Sequence, residues 1–145
     1  MFSSCKTTQK ANSTSTTKLL KSSKWEVLPL ESVKIETLNK GQELCNRVLN
    51  TCNSSSFKPF NSKEATTELI NKMTPEKITA TCKEINKGYG KFQSTSFIEA
   101  QYLEKDDLTL YVFDCEYEKK YYKKTIKIIM NAQEQATNIS TETIR

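Results

Sequence analysis

The sequence predicts an α+β domain: N-terminal helices packed on a curved antiparallel β-sheet of three to four strands. Apolar residues recur at helical spacing only before Gly88. Beyond Gly90 the chain reads as strands whose side chains alternate between two faces, both of which carry apolar groups. The alternating runs are joined by short polar connections, Lys105-Asp106-Asp107 and Glu118-Lys119-Lys120, so antiparallel hairpins are the economical topology. Helices first and strands after is the α+β order.

Trp25-Glu26-Val27-Leu28-Pro29-Leu30 reads as an extended apolar arm lying on the domain. Ser32 or Thr37 then opens a helix to about Cys52, with Leu38, Cys45, Val48, Leu49 and Cys52 on one side and Gly41 weakening its middle. Asn53-Ser54-Ser55-Ser56 ends it, and Phe57 and Phe60 around Pro59 form an apolar turn aimed at the core. A second helix is expected over Lys63–Met73, where Asn61 and Glu64 have capping-box spacing. The third has Thr74 as N-cap, Pro75 at its first position and Glu76 beside the positive helix end, with Gly88 as its stop. Strands are expected over Gln93–Leu103, Leu108–Tyr117 and Tyr121–Met130, with a weak fourth over Ala136–Thr141. Along the second, Tyr111, Phe113, Cys115 and Tyr117 share one face, and Leu110, Val112, Asp114 and Glu116 the other.

The chain has 145 residues and a formal charge of +5. Lys6, Lys10, Lys18, Lys21 and Lys24 all precede Trp25 and no acid does, so the remaining 17 basic groups balance the 17 acidic ones. Residues 1–24 read as a disordered basic tether rich in Ser, Thr and Lys, and residues 25–145 as one domain. A neutral body argues against a nucleic-acid partner, which demands Lys and Arg on the folded surface. No stretch approaches the ~18 apolar residues of a membrane helix.

Five cysteines are present. Cys45 and Cys52 stand two helical turns apart, about 10 Å by helix rise, beyond disulfide reach of one another. Cys45, Cys52, Cys82 and Cys115 all fall on apolar faces and are read as buried free thiols. The fifth, Cys5, follows Phe2-Ser3-Ser4 and precedes the Ser/Thr/Lys tail, which resembles the lipobox of a bacterial lipoprotein. That resemblance implies lipid attachment at Cys5 and a membrane-anchored place in the cell envelope. The apolar stretch that precedes a lipobox is expected upstream of Met1 if the signal was trimmed or Met1 is internal. Without lipidation the expected address is the cytoplasm.

Tyr89-Gly90-Lys91-Phe92-Gln93-Ser94-Thr95 marks the change from helix to sheet, and Thr109–Tyr117 forms the strand after the next polar turn. This order resembles small secreted bacterial domains of the cystatin-like, nuclear-transport-factor-2-like superfamily, over Gly41 to Ser140. The resemblance implies a cone of helices against a curved sheet. The members it most resembles have no established activity, so it assigns no functional residue. Their last strand usually holds a glycine, which Ala136-Thr137-Asn138-Ile139 lacks.

There is no histidine, which removes imidazole acid/base chemistry and the commonest zinc ligand. No CxxC spacing occurs, so neither metal nor cofactor is expected. Enzymes of the superfamily place an acid and tyrosines inside the cone, and Asp114 with Glu116 would be the acids here. Tyr111 and Tyr117 fall on the opposite face, however, and the lysines at 119, 120, 123 and 124 make simpler cross-strand partners. The expected function is a non-enzymatic, envelope-associated lipoprotein domain binding a small apolar ligand or a partner protein through its sheet face. Tyr111, Phe113 and Tyr117 are the binding candidates, although the same residues serve equally as core. A homo-oligomer is the other expected association. The alternatives are a superfamily enzyme using a buried Asp114 and an accessory subunit of a larger complex.

Overall fold

The computed structural model describes residues 21–120 and 123–144. Five strands form one antiparallel sheet in chain order: β1 Trp25–Val27, β2 Phe92–Leu103, β3 Leu108–Tyr117, β4 Lys123–Met130 and β5 Ala136–Ile144. Helices α1 Ile35–Ser54, α2 Thr67–Lys72 and α3 Pro75–Tyr89 lie between β1 and β2 in sequence. The α+β class stands, with five strands in place of three to four. The added strand is the arm: Trp25, Glu26 and Val27 pair with Leu103, Tyr102 and Gln101, and the Leu28 amide extends the ladder to the Ala100 carbonyl. The chain is tied on before the arm begins, since the Ser22 amide donates to Glu104 at 2.9 Å and its carbonyl accepts from the Lys105 amide.

α1 packs on the same face as Tyr111, Phe113, Ile126, Ile128 and Met130, against β2, β3 and β4. Burying side chains such as Leu44, Leu49 and Phe113 contributes about 1.5–3 kcal/mol each. The helix crosses the sheet at Gly41, where an added Cβ would stand 3.3 Å from Cγ2 of Ile128. The residue that weakens the helix by propensity is therefore the one that lets it approach. Polar side chains then lock α1 along β2. Asn53 accepts from the Phe92 amide at 3.0 Å and donates to its carbonyl at 2.7 Å, the pattern of a neighbouring strand. Gln42 donates to the Thr95 carbonyl, and the Thr95 hydroxyl to Asn46. These bonds occupy backbone groups on a strand that β1 covers only at its far end.

Local signals competed with tertiary ones at two places. Asn61 and Glu64 do form a reciprocal box, Asn61 accepting from the Glu64 amide and Glu64 from the Asn61 amide. No helix grows from it, because the Glu64 carbonyl accepts from the Ala136 amide and the Thr66 amide donates to the Ala136 carbonyl. Those backbone groups serve a parallel bridge to β5, so the helix starts at Thr67, four residues beyond the expected Lys63, capped by Thr66. α3 begins as its signals predict, with the Thr74 hydroxyl accepting from the Lys77 amide, but it runs through Gly88. Gly90, at φ +76° and ψ −152°, takes a positive-φ conformation open chiefly to glycine and ends it.

The thiol expectation is corrected at one pair. Cys52 on α1 and Cys82 on α3 form a disulfide, with Cα atoms 4.7 Å apart. Spacing along one helix excluded Cys45 with Cys52 but said nothing of a pair between two helices, and α1 and α3 pack together. Cys45 and Cys115 remain free and buried. Arg47, also on α1, forms bonds of 3.0 and 2.6 Å with the two Glu64 oxygens, pairs with Glu43 and lies 5.3 Å from the Phe60 ring centre. It fastens the segment between α1 and α2 to the helix.

The disulfide closes a loop of 30 residues of separation, which constrains the unfolded chain by about 3–4 kcal/mol. Cys52→Ala/Cys82→Ala should lower the midpoint of thermal unfolding by about 10 °C; an unchanged midpoint contradicts the bridge. The Arg47 bonds hold the Glu64 carboxyl down at about 2, below its ordinary range. A depressed folded-state value stabilises above the unfolded pKa and is lost as the solution acidifies. Urea stability should therefore fall by about 2 kcal/mol between about pH 5 and pH 2 through this group. In Glu64→Gln that part of the slope should vanish, and an unchanged acid profile would count against the pair.

Candidate functional site

One cavity of about 340 Å³ opens at the end of the sheet where the arm, the start of α1 and two hairpin turns meet. That volume is at the lower bound of small-ligand pockets. Tyr111 on β3 and Met130 on β4 line it from the sheet, Leu28 from the arm, and Thr37 from α1. Tyr111 is only 3 % exposed. Its hydroxyl makes no hydrogen bond with any described residue, yet it is not among the fully enclosed unpaired atoms, which are the Tyr117 hydroxyl and the Thr125 hydroxyl. The Tyr111 hydroxyl therefore meets the cavity. Burial, and after it the Glu134 carboxylate, pushes its pKa up, so the proton stays on.

The rim is built by the β2–β3 and β4–β5 turns, which an antiparallel sheet brings to the same end. Asp107 stands in the first at φ 52° and Glu134 in the second at φ 61°. Asp107 accepts from the Tyr102 hydroxyl at 2.8 Å, and this bond raises the Tyr102 pKa. The second turn is held by Asn131, whose side-chain oxygen accepts from the Gln133 and Gln135 amides. Side chains with a Cβ reach the left-handed region at a cost of about 1–2 kcal/mol, and Asp tolerates it better than Glu. Lys34, just before α1, is the one basic side chain on this lining.

The three aromatic candidates share the helix face of β3 and lie beneath the helices rather than on an open sheet surface. Tyr111 reaches the cavity. Phe113 is fully buried against Phe97, their ring centres 6.0 Å apart. Tyr117 is packed between Tyr89 and Phe92 at the opposite end of the strand, its hydroxyl buried without a partner. Beside it Lys124 is buried over the Tyr89 ring at 5.4 Å. Burial pushes the Cys115 thiol up to about 12, with Lys124 opposing the shift, and burial likewise raises Cys45. Neither thiol is a thiolate nucleophile at neutral pH.

Asp114 lies on the other face of the sheet, opposite Ser96 and Thr125, away from Tyr111. Glu116 pairs with Lys120 at 3.5 Å, four residues on in the β3–β4 turn, and among the described residues neither acid has the expected cross-strand ion pair. Cys5 lies outside the described residues. Among the described residues no group of three or more His, Cys, Asp or Glu is placed to hold a metal, and no helix is long and apolar enough to cross a membrane. Sequence reasoning missed Asp107 and Glu134 as site residues. Its only available signal was that both stand in turns, and nothing in one chain says which turns share an end of the sheet with Tyr111.

No protein-family model, curated protein or solved structure matches the chain. The site is defined by its own geometry.

A left-handed Glu134 gives a direct check on the rim. Glu134→Gly should raise stability to urea by about 0.5–1 kcal/mol, because glycine takes this conformation without a Cβ clash. A loss of stability would mean the side chain holds the turn.

Proposed function

We propose that this chain is a non-enzymatic binding domain that takes a small ligand in the cavity over Tyr111. One observation carries the reading: a hydroxyl on a residue 97 % removed from solvent, unpaired within the described fold and facing a 340 Å³ space. Buried polar groups are nearly always bonded, so an open one marks where a water or a ligand belongs. The cystatin-like cone is the matching finer description of the fold. A long helix across one face of a bulged antiparallel sheet, with a pocket at one end between them, supports it. An enzyme built on Asp114 is not favoured, because Asp114 and Tyr111 are on opposite faces.

The address is the second part of the proposal: an exported domain tethered to a bacterial envelope membrane by lipid on Cys5. The Cys52–Cys82 bridge supports it, since structural disulfides persist in oxidising compartments and are rare in the cytosol. The basic residues before Trp25 suit a tether beside anionic headgroups, each adding about 1 kcal/mol near such a surface.

Phenethyl alcohol, a compact neutral probe, tests the cavity by amide-resolved NMR titration. Saturable shifts should appear at Leu28, Tyr111 and Met130 and weaken at least about fivefold in Thr109→Trp, which fills the space. Shifts that survive the filling substitution contradict the site. The address is tested by metabolic labelling of the native gene product with an alkynyl fatty acid. Label on the wild-type chain that disappears in Cys5→Ser is the expected outcome; unlabelled wild-type chain overturns lipidation and leaves the cavity untouched.

A further inference from the structure

The cavity that the proposed function rests on also has a charge preference. Its rim holds two carboxylates, Asp107 and Glu134, and one cation, Lys34. Among the described residues none of the three takes part in an ion pair. Asp107 spends one acceptor site on Tyr102, and a carboxylate has about four. Glu134 is felt electrostatically at the Tyr111 hydroxyl, so rim and floor address the same space. With its proton retained, that hydroxyl keeps acceptor lone pairs for an N–H donor. The walls beneath the rim are apolar, Leu28 and Met130 with the Tyr111 ring.

An anion entering here meets two like charges and one opposite. A neutral apolar molecule strips water from two carboxylates and offers them nothing. A cation with an apolar body does neither. We propose that the site takes a small organic amine, with its ammonium group held by Glu134, Asp107 and the Tyr111 hydroxyl, and its apolar part over Leu28 and Met130. At about 30 Å³ per water-sized unit the space admits a ligand of about ten non-hydrogen atoms. This rests on the reading of the cavity as a ligand site, and it names the ligand class.

Three probes of one shape and different charge decide it: phenethylamine, phenethyl alcohol and phenylpropionate, titrated at low salt into the full chain and followed by NMR. The amine should bind at least about tenfold more tightly than the alcohol, with the carboxylate weakest, and added salt should erode the difference. Glu134→Gln should weaken the amine at least about fivefold and leave the alcohol unchanged. Lys34→Met should strengthen the amine about two- to fivefold, because it removes the competing cation. Both positions are exposed, so the variants should fold, and circular dichroism confirms it. Equal affinity for amine and alcohol, with shifts at Tyr111, overturns the charge preference while the cavity reading survives. No shift at Tyr111 or Met130 with any probe overturns both.

Discussion

The seat of α1 on the sheet depends on Gly41. A Cβ at that position would stand 3.3 Å from the Ile128 Cγ2 methyl, a contact that forces a shift of a few tenths of an ångström, and a longer side chain would push the helix further from the strands. Everything else that α1 does follows from lying this close. Asn53 reaches the Phe92 backbone, Gln42 reaches Thr95, and Leu44 and Leu49 are sealed against the core. Helix propensity alone would remove a mid-helix glycine, since alanine is about 1 kcal/mol better there. The position is set by packing.

The two ends of α1 serve different purposes. The C-terminal half is fastened through Cys52 to α3 and through Arg47 to Glu64, and the core beneath it is closed. Around the N-terminus the helix is less tightly covered. Lys34 caps it without a side-chain hydrogen bond, and Thr37 looks into the space over Tyr111. Rigidity at one end and an opening at the other is the division expected of a binding domain, in which a fixed scaffold presents turns that hold the polar contacts. The two left-handed acids fit this division, because strain of that kind is kept where the surrounding structure enforces it.

What the sequence revealed divides along the same line. The bounds of β3 were legible to the residue, because polar turns flank a run of aromatic and aliphatic side chains, but the face that meets the helices was not, since Leu108, Leu110 and Val112 make the other face apolar too. α3 was legible at its start, where Thr74 and Pro75 act locally. Legibility failed where a distant partner decided the outcome. Ala136 claimed the backbone at Glu64 and Thr66, Cys82 met Cys52 across two helices, and the arm gained a strand partner in residues 101–103. Of the binding candidates, Tyr111, Phe113 and Tyr117 are identical in pattern, and only position along the strand separates Tyr111, near the end where the cavity opens, from the other two. The carboxylates on the rim had no periodic signal at all, since they belong to turns.

The central claim is that α1, the arm and the two turns leave a space that takes a ligand, with the Tyr111 hydroxyl at its floor and the acids at its mouth. A crystal structure of the protein soaked with phenethylamine tests this most directly. The account predicts the amine nitrogen within hydrogen-bond distance of the Tyr111 hydroxyl and of Glu134, with the ring against Met130 and α1 unmoved at Gly41. A cavity closed by its own side chains, or an amine bound only elsewhere on the surface, would contradict it.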